Sequence, residues 1–96
     1  MTQTLDSMVL TEADVEKLVD EEDLWAIIVW NDDVNTFGHV IKALIEILDH
    51  PKARAKQLTD RIHNHGKAVV ALRPKKEATT IVRRFHARRI QATLER

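Results

Sequence analysis

The 96-residue sequence has no cysteine, no tyrosine, two glycines, two prolines and a single serine, Ser7. Without cysteine the chain forms no disulfide, offers no thiol nucleophile and holds no cysteine-bound zinc, which fits a reducing cytoplasm. Two glycines are too few for a glycine-rich phosphate-binding loop. The sequence also lacks a stretch of about 18 apolar residues and the apolar core of a signal peptide, so we expect a cytoplasmic protein that does not bind membranes.

The formal net charge of zero is the sum of three unlike segments. Residues 1–24 carry eight acidic residues and one basic residue, for a net charge of −7; residues 25–72 carry +1, and residues 73–96 carry +6. Such asymmetry is typical of an interaction tail or of a partner attracted by charge, although a solvated surface without a partner gives the same pattern. We expect residues 1–23 to be a flexible acidic extension and residues 24–96 to form one folded domain.

Apolar spacing predicts the first half of that domain. The run from Trp25 to Trp30 has the length and residue types of a buried strand, and it ends at turn-forming polar residues, Asn31-Asp32-Asp33. Apolar residues then recur every three or four positions from Phe37 to Leu48, which predicts a helix capped by Asn35 or Thr36. We expect Pro51 to end this helix.

The second half contains three further predicted elements. They are a helix at residues 52–63, a strand at residues 68–72 after Gly66, and a helix that Pro74 opens and that extends through Phe85. Alternating residues from Ile90 to Leu94 predict a third strand. The order β-α-α-β-α-β predicts an α+β fold, a small α/β sandwich in which three helices cover one face of a three-stranded antiparallel sheet.

Two polar clusters follow elements that meet if the first two strands are neighbours. One is Asn31-Asp32-Asp33, and the other is His63-Asn64-His65-Gly66-Lys67. Together they offer amide, carboxylate and imidazole acceptors, which suit an ammonium group with its three donors and positive charge. Because Phe37, Val40 and Ile62 lie one helical turn away, the pattern is compatible with a site for the first residue of a peptide.

Three other interpretations stay open on spacing alone. The asparagine and aspartates are also typical of residues that cap a turn. Four histidines (His39, His50, His63 and His65) together with Asp32 and Asp33 are ligand types for zinc, but we expect His39 and His50 to face solvent and the rings of His63 and His65 to diverge. An Asp–His pair can activate a hydroxyl nucleophile, yet the only serine is Ser7 in the acidic segment, so we expect no catalytic residue, no metal and no cofactor.

At these same residues the sequence resembles the ClpS family, the adaptors of bacterial N-degron proteolysis. The resemblance extends from about Trp25 to Glu95. It is carried by the order and spacing of four segments: NDDVNTFGHV at residues 31–40, Ala55-x-x-Leu58, IHxxGKA at residues 62–68, and ATLE at residues 92–95.

The resemblance implies an adaptor, not an enzyme. Members bind proteins whose first residue is Phe, Tyr, Trp or Leu and deliver them to a Clp AAA+ unfoldase, ClpA or ClpC, which works with the peptidase ClpP. By motif position, Asn31, Asp32, Asp33 and His63 would surround the α-amino group. The side-chain pocket would be lined by Phe37, Val40, Thr59, Ile62 and Ile90, and the acidic extension would be the segment that the unfoldase engages.

The sequence departs from the family pattern at two pocket positions and in the segment from Arg73 to Arg89, which is shorter and more basic than usual. Phe37 and Thr59 stand where many members have methionine, so the preferred first residue is not implied by the resemblance. The basic C-terminal third favours an alternative function, a nucleic-acid- or acidic-protein-binding module that uses Arg83, Arg84, Arg88 and Arg89 as a ridge on the third helix. Few side chains suited to reading bases lie there, so we expect a monomeric peptide-binding adaptor with no nucleic-acid partner.

Overall fold

The computed structural model of the chain describes residues 23–96. The acidic extension predicted for residues 1–23 therefore lies outside the described residues, apart from Asp23. The described chain forms six elements in the predicted order: β1 (Leu24–Trp30), α1 (Phe37–Leu48), α2 (Lys52–His65), β2 (Lys67–Pro74), α3 (Lys75–Ala87) and β3 (Ala92–Glu95). No helix of residues 23–96 is both long enough and apolar enough to cross a membrane.

The three strands form one antiparallel sheet with β1 in the centre, in the order β2-β1-β3. The run from Leu24 to Trp30 is the most apolar of the three, which suits the strand with a neighbour on each side. Opposite β1, the register shifts between Ile27 and Ile28, which pair with Ala71 and Val69. Val70 is therefore the extra residue of a β-bulge in β2.

All three helices pack on the sheet face that carries Ile27 and Val29, both of which are fully buried. Each helix presents one apolar stripe to this face, as its three-to-four spacing predicts. The largest completely buried side chain is Phe85 of α3, which lies in the same core as Leu44 of α1. The structure confirms the predicted α/β sandwich with its helices on one face.

The ends of the helices follow local backbone chemistry. Thr36 caps α1, since its Oγ1 accepts a hydrogen bond of 3.1 Å from the backbone N–H of His39. Asp49, not Pro51, terminates α1, because Asp49 adopts the left-handed conformation (φ 58°) and its N–H bonds back to Ile45. Pro51 instead precedes the first turn of α2. The N–H groups at the start of a helix have no partner within the helix, so the N–H that proline lacks costs no helical hydrogen bond.

The predicted arginine ridge on the third helix is wrong for two of its four members. The helix α3 ends at Ala87, so Arg88 and Arg89 lie beyond it. Arg88 is ion-paired with Glu46 of α1 at 2.6 Å, and Arg89 adopts a left-handed conformation (φ 63°) that turns the chain toward β3. The turn at Arg89 breaks the helical period, which leaves only Arg83 and Arg84 on the helix.

Candidate functional site

Strand pairing brings the two polar clusters to the same edge of the sheet. Trp30 at the end of β1 is opposite Lys67 at the start of β2, and the N–H of Asn31 donates to the carbonyl of Gly66 at 2.9 Å. Gly66 ends α2 with φ 88°, a left-handed conformation that glycine adopts without steric cost. The first polar residue after β1 is thus hydrogen-bonded to the residue that ends α2, one turn after His63.

Asp32 organises the loop between β1 and α1. Its Oδ1 accepts hydrogen bonds from the N–H groups of Val34 (2.9 Å) and Asn35 (2.8 Å), and its Oδ2 accepts one from Nδ2 of Asn35 (2.8 Å). These bonds, led by the one from the Asn35 backbone, favour the ionised carboxylate and hold the pKa of Asp32 below its ordinary value. The same Asn35 amide also donates to the carbonyl of Arg89 at 2.8 Å, which ties the loop to the turn before β3.

Replacing Asp32 with alanine is expected to lower the free energy of unfolding by about 1–2 kcal/mol, because three hydrogen bonds of the loop lose their acceptor. The folded-state pKa of Asp32 is depressed, so its contribution is complete above the unfolded-state pKa and is lost as the pH falls through the folded-state value. Urea unfolding of both proteins at pH 7 and near pH 3 measures this. Asp60→Ala, an exposed site on α2, is the matched control.

This expectation has a clear counter-result. If Asp32→Ala and Asp60→Ala change the unfolding free energy equally at pH 7, the hydrogen bonds of the Asp32 carboxylate do not stabilise the domain. A difference between wild type and Asp32→Ala that stays constant down to pH 3 would show that the ionised form is not the one that the fold favours.

A cavity of about 280 Å³ opens between this loop, the start of α1 and the last turns of α2. Its volume is near the lower end of the range for small-molecule sites, which suits a single amino-acid side chain. The rings of Phe37 and His63 face each other across it edge to face, with centroids 6.3 Å apart. The residues that line it are Asn31, Asp32, Asp33, Asn35, Thr36, Phe37, Val40, Thr59, Ile62 and His63.

The cavity has a polar rim and an apolar wall. Val40, Thr59 and Ile62 are almost completely buried, and the Thr59 hydroxyl donates to the Ala55 carbonyl at 2.7 Å, so its own donor is already used. At the rim, the side chains of Asn31, Asp33 and His63 make no hydrogen bond with any group of residues 23–96. The arrangement therefore offers amide, carboxylate and imidazole groups to a ligand, beside a small apolar space.

Residues 20–95 match the family model described as ATP-dependent Clp protease adaptor protein ClpS. The chain belongs to the ClpS family. The match spans the whole sandwich and all the residues that line the cavity. Membership makes this chain a relative of adaptors of the ATP-dependent Clp protease.

Curated ClpS relatives and a solved ClpS structure agree with this membership. The adapter protein ClpS of Nocardia farcinica is 36% identical over 81 residues, which are 84% of this chain and 76% of the relative. ClpS of Corynebacterium glutamicum strain R is 34% identical over 84 residues, 88% of this chain and 84% of the relative. The structure of Agrobacterium tumefaciens ClpS2 bound to L-phenylalaninamide has a TM-score of 0.72 at 19% identity and covers 76% of this chain and 95% of its own. At that identity the likeness shows the fold.

Of the nine residues predicted for the ClpS site, the cavity brings together eight, and Ile90 is not among its lining residues. The side chain of Ile90 is 1% exposed and belongs to the hydrophobic core. Its N–H bonds to the Phe85 carbonyl at 3.0 Å, in the turn that ends α3. A contact between Ile90 and a bound side chain stays a prediction.

Two lining residues, Asn35 and Thr36, were assigned from the sequence only to helix capping. Both also border the cavity, since the loop that caps α1 is the same loop that forms the rim. They lie five and six positions after Trp30, the end of β1, and Asn or Thr just before an apolar helical pattern signals a turn and a helix start. That signal places them at the mouth of any site formed there.

The histidines predicted to face solvent, His39 and His50, are instead partly buried donors. Nε2 of His39 bonds to the Arg88 carbonyl at 2.9 Å, and Nε2 of His50 bonds to the Val70 carbonyl at 2.8 Å. Since a carbonyl only accepts, these rings carry a proton on Nε2. Within residues 23–96 no three side chains of histidine, cysteine, aspartate or glutamate converge to form a metal site.

Proposed function

We propose that this ClpS-family chain binds the free N-terminus of proteins whose first residue is bulky and hydrophobic, and delivers them to a Clp AAA+ unfoldase that works with ClpP. The observation that supports the proposal is the juxtaposition of three acceptors that make no hydrogen bond within residues 23–96 (Asn31, Asp33 and His63) with the apolar wall of one small cavity. An N-terminal residue with a large apolar side chain carries the complementary pair of groups.

The α-amino group is the part of the ligand that the rim suits. An ammonium has three N–H donors and one positive charge, and Asn31 Oδ1, the Asp33 carboxylate and an unprotonated His63 nitrogen supply three acceptors with one negative charge. Asp32 acts differently in this proposal: its oxygens already accept three hydrogen bonds, so it shapes the loop and adds negative potential.

The side chain of the first residue is the part that the wall suits. Val40 and Ile62 provide apolar surface, and Phe37, which is 38% exposed, stands at the mouth beside His63. The Agrobacterium ClpS2 structure holds L-phenylalaninamide, a compound with a free α-amino group and a phenyl ring. That ligand carries the same two groups, an α-amino group and a large apolar side chain, that this proposal assigns to the first residue of a substrate.

Asp33→Asn is expected to weaken binding of a Phe-initiated peptide about fivefold to tenfold. The substitution removes one charge-assisted hydrogen bond, and the exposure of Asp33 reduces the loss through solvent screening. Fluorescence anisotropy with a C-terminally labelled peptide measures the dissociation constant. Asp60→Asn makes the same charge change on an exposed part of α2 outside the cavity, and is expected to leave the affinity unchanged.

Equal affinities for wild type and Asp33→Asn would contradict the assigned role of Asp33. Equal weakening by Asp33→Asn and Asp60→Asn would show that overall charge, and not the rim carboxylate, attracts the peptide. Failure of wild type to bind any Phe- or Leu-initiated peptide with a free amine would overturn the proposed function itself.

Delivery, in this proposal, requires binding and release without chemistry on the substrate. The chain works as a monomeric, non-catalytic adaptor in the cytoplasm, and the acidic residues 1–23 are the segment that the unfoldase, ClpA or ClpC, engages.

Degradation of a Phe-initiated model protein by purified ClpAP and by ClpCP, with and without the chain, tests delivery and distinguishes the two unfoldases. No acceleration with either protease would overturn the delivery step, while leaving peptide binding as a separate result.

A further inference from the structure

A second concave surface, unrelated to the peptide cavity, lies between the end of α1, the end of β2 and one side of α3. This groove encloses about 630 Å³. Its apolar floor comes from Ile47, Leu48 and Ile81, which are nearly buried in the core. Its borders are mostly polar and are formed by Asp49, Arg73, Pro74, Lys76, Glu77, Thr80 and Arg84.

The groove has an excess of positive charge that the described residues do not neutralise. Residues 73–84 contain five basic residues and one acidic residue, Glu77. The two ion pairs within residues 23–96 lie elsewhere, at Arg88–Glu46 and Arg96–Asp23. Asp49 and Glu77 are the acidic residues that line the groove, against Arg73, Lys76 and Arg84. An acidic ligand with some apolar surface fits this combination.

The acidic segment of the same chain joins the domain at the border of this groove. Leu24, the first residue of β1, pairs with Pro74, which lines the groove. Residues 1–22, which precede Asp23 and Leu24, contain seven acidic residues and one basic residue. Apolar residues stand among those charges, and they include Leu10, Val15, Leu18 and Val19. They are five to fourteen positions from Leu24, and an extended chain covers about 3.4 Å per residue.

We propose that residues 1–22 bind the groove of their own domain, with their acidic residues against Arg73, Lys76 and Arg84 and their apolar residues on the floor formed by Ile47, Leu48 and Ile81. Covalent attachment beside the groove gives the segment an effective concentration in the millimolar range, so weak contacts suffice. Any partner that takes hold of this segment must first displace it from the groove. The inference does not depend on the proposed peptide binding.

The absence of cysteine makes a direct test simple. Thr11→Cys carries a single nitroxide spin label, and the full chain is studied by paramagnetic relaxation enhancement of its ¹⁵N-labelled amides. The amide signals of Thr80, Ile81 and Arg84 are expected to lose intensity several-fold more than those of Asn64 and His65, beside the peptide cavity. Screening in about 1 M salt, where the Debye length is near 3 Å, is expected to reduce the difference.

Charge reversal and isotope mixing decide between the possible results. Lys76→Glu with Arg84→Glu is expected to abolish the selective loss at the groove, while Lys52→Glu with Lys56→Glu, exposed on α2, leaves it intact. Uniform attenuation over the domain, or loss centred on the peptide cavity, overturns the proposal. A second sample mixes spin-labelled ¹⁴N chains with ¹⁵N chains that carry no spin label. If the groove signals lose as much intensity in this mixture as in the sample where one chain carries both labels, the proposal is overturned, because the occupant is then a second copy.

Discussion

Acetylation of the α-amino group is expected to weaken binding of a Phe-initiated peptide about 100-fold or more. An acetamide has no charge and one N–H, so Asn31, Asp33 and His63 lose most of their donors and remain partly desolvated beside the bound chain. Loss of one partner from a desolvated charged contact costs about 2–5 kcal/mol, and each 1.4 kcal/mol is tenfold in affinity. Fluorescence anisotropy with otherwise identical peptides measures the ratio.

The matched control for acetylation is chemical. The same peptide with a lysine near its labelled end, acetylated there and free at its N-terminus, is expected to bind as tightly as the unmodified peptide. If the N-acetylated and free peptides bind equally, the protein does not recognise the α-amino group. The cavity would then bind an internal apolar side chain, which is a different class of ligand.

Thr59→Phe is expected to weaken binding of a Phe-initiated peptide about 10- to 100-fold. Thr59 is 3% exposed and lines the cavity, so a phenyl ring at this position takes the space of the incoming side chain. A bulky apolar side chain that stays in water instead of being buried forgoes about 1.5–3 kcal/mol. A peptide that begins with alanine needs little of the cavity, and its weaker affinity is expected to stay unchanged.

Thr79→Phe is the control for this substitution. Thr79 also donates its hydroxyl to a carbonyl four residues earlier, at 2.8 Å, but it lies on α3 and does not line the cavity. Since overpacking at a buried site costs about 1–3 kcal/mol, Thr59→Leu provides a milder filling variant and circular dichroism verifies folding. Unchanged binding of the Phe-initiated peptide to a folded Thr59→Phe would show that the side chain is bound elsewhere.

The elements of the fold are readable from the sequence because their signals are local. The spacing of Val40, Ile41 and Leu44 specifies one helical stripe within two turns, and this stripe faces the core, whereas Phe37 at the start of the helix is 38% exposed and lines the cavity. Two of the predictions that failed depend on the balance between competing local signals. Pro51 was expected to end α1, but Asp49 adopts a left-handed conformation first, and the turn at Arg89 ended α3 before two of the predicted ridge arginines.

The candidate site is less readable because its residues are far apart in the chain. Residue types identified Asn31 and His63 as acceptors, but only the pairing of β1 with β2 and the bond from Asn31 to Gly66 place them at one cavity. The different roles of the two aspartates could not be predicted from the sequence. Asp32 and Asp33 are adjacent and identical, and only the loop conformation engages Asp32 in hydrogen bonds and leaves Asp33 without one within residues 23–96.

The amino-acid sequence alone specifies the order of helices and strands, the charge asymmetry, the exclusions that follow from the lack of cysteine, and the motifs that resemble ClpS. Each of these depends on composition or on residues within a few positions of one another. Only the three-dimensional structure shows which acceptors make no hydrogen bond within residues 23–96, that Ile90 is buried in the core, and that His39 and His50 donate to backbone carbonyls. A cavity and its free groups depend on strand register and helix packing, which combine residues more than thirty positions apart, from Asn31 to His63.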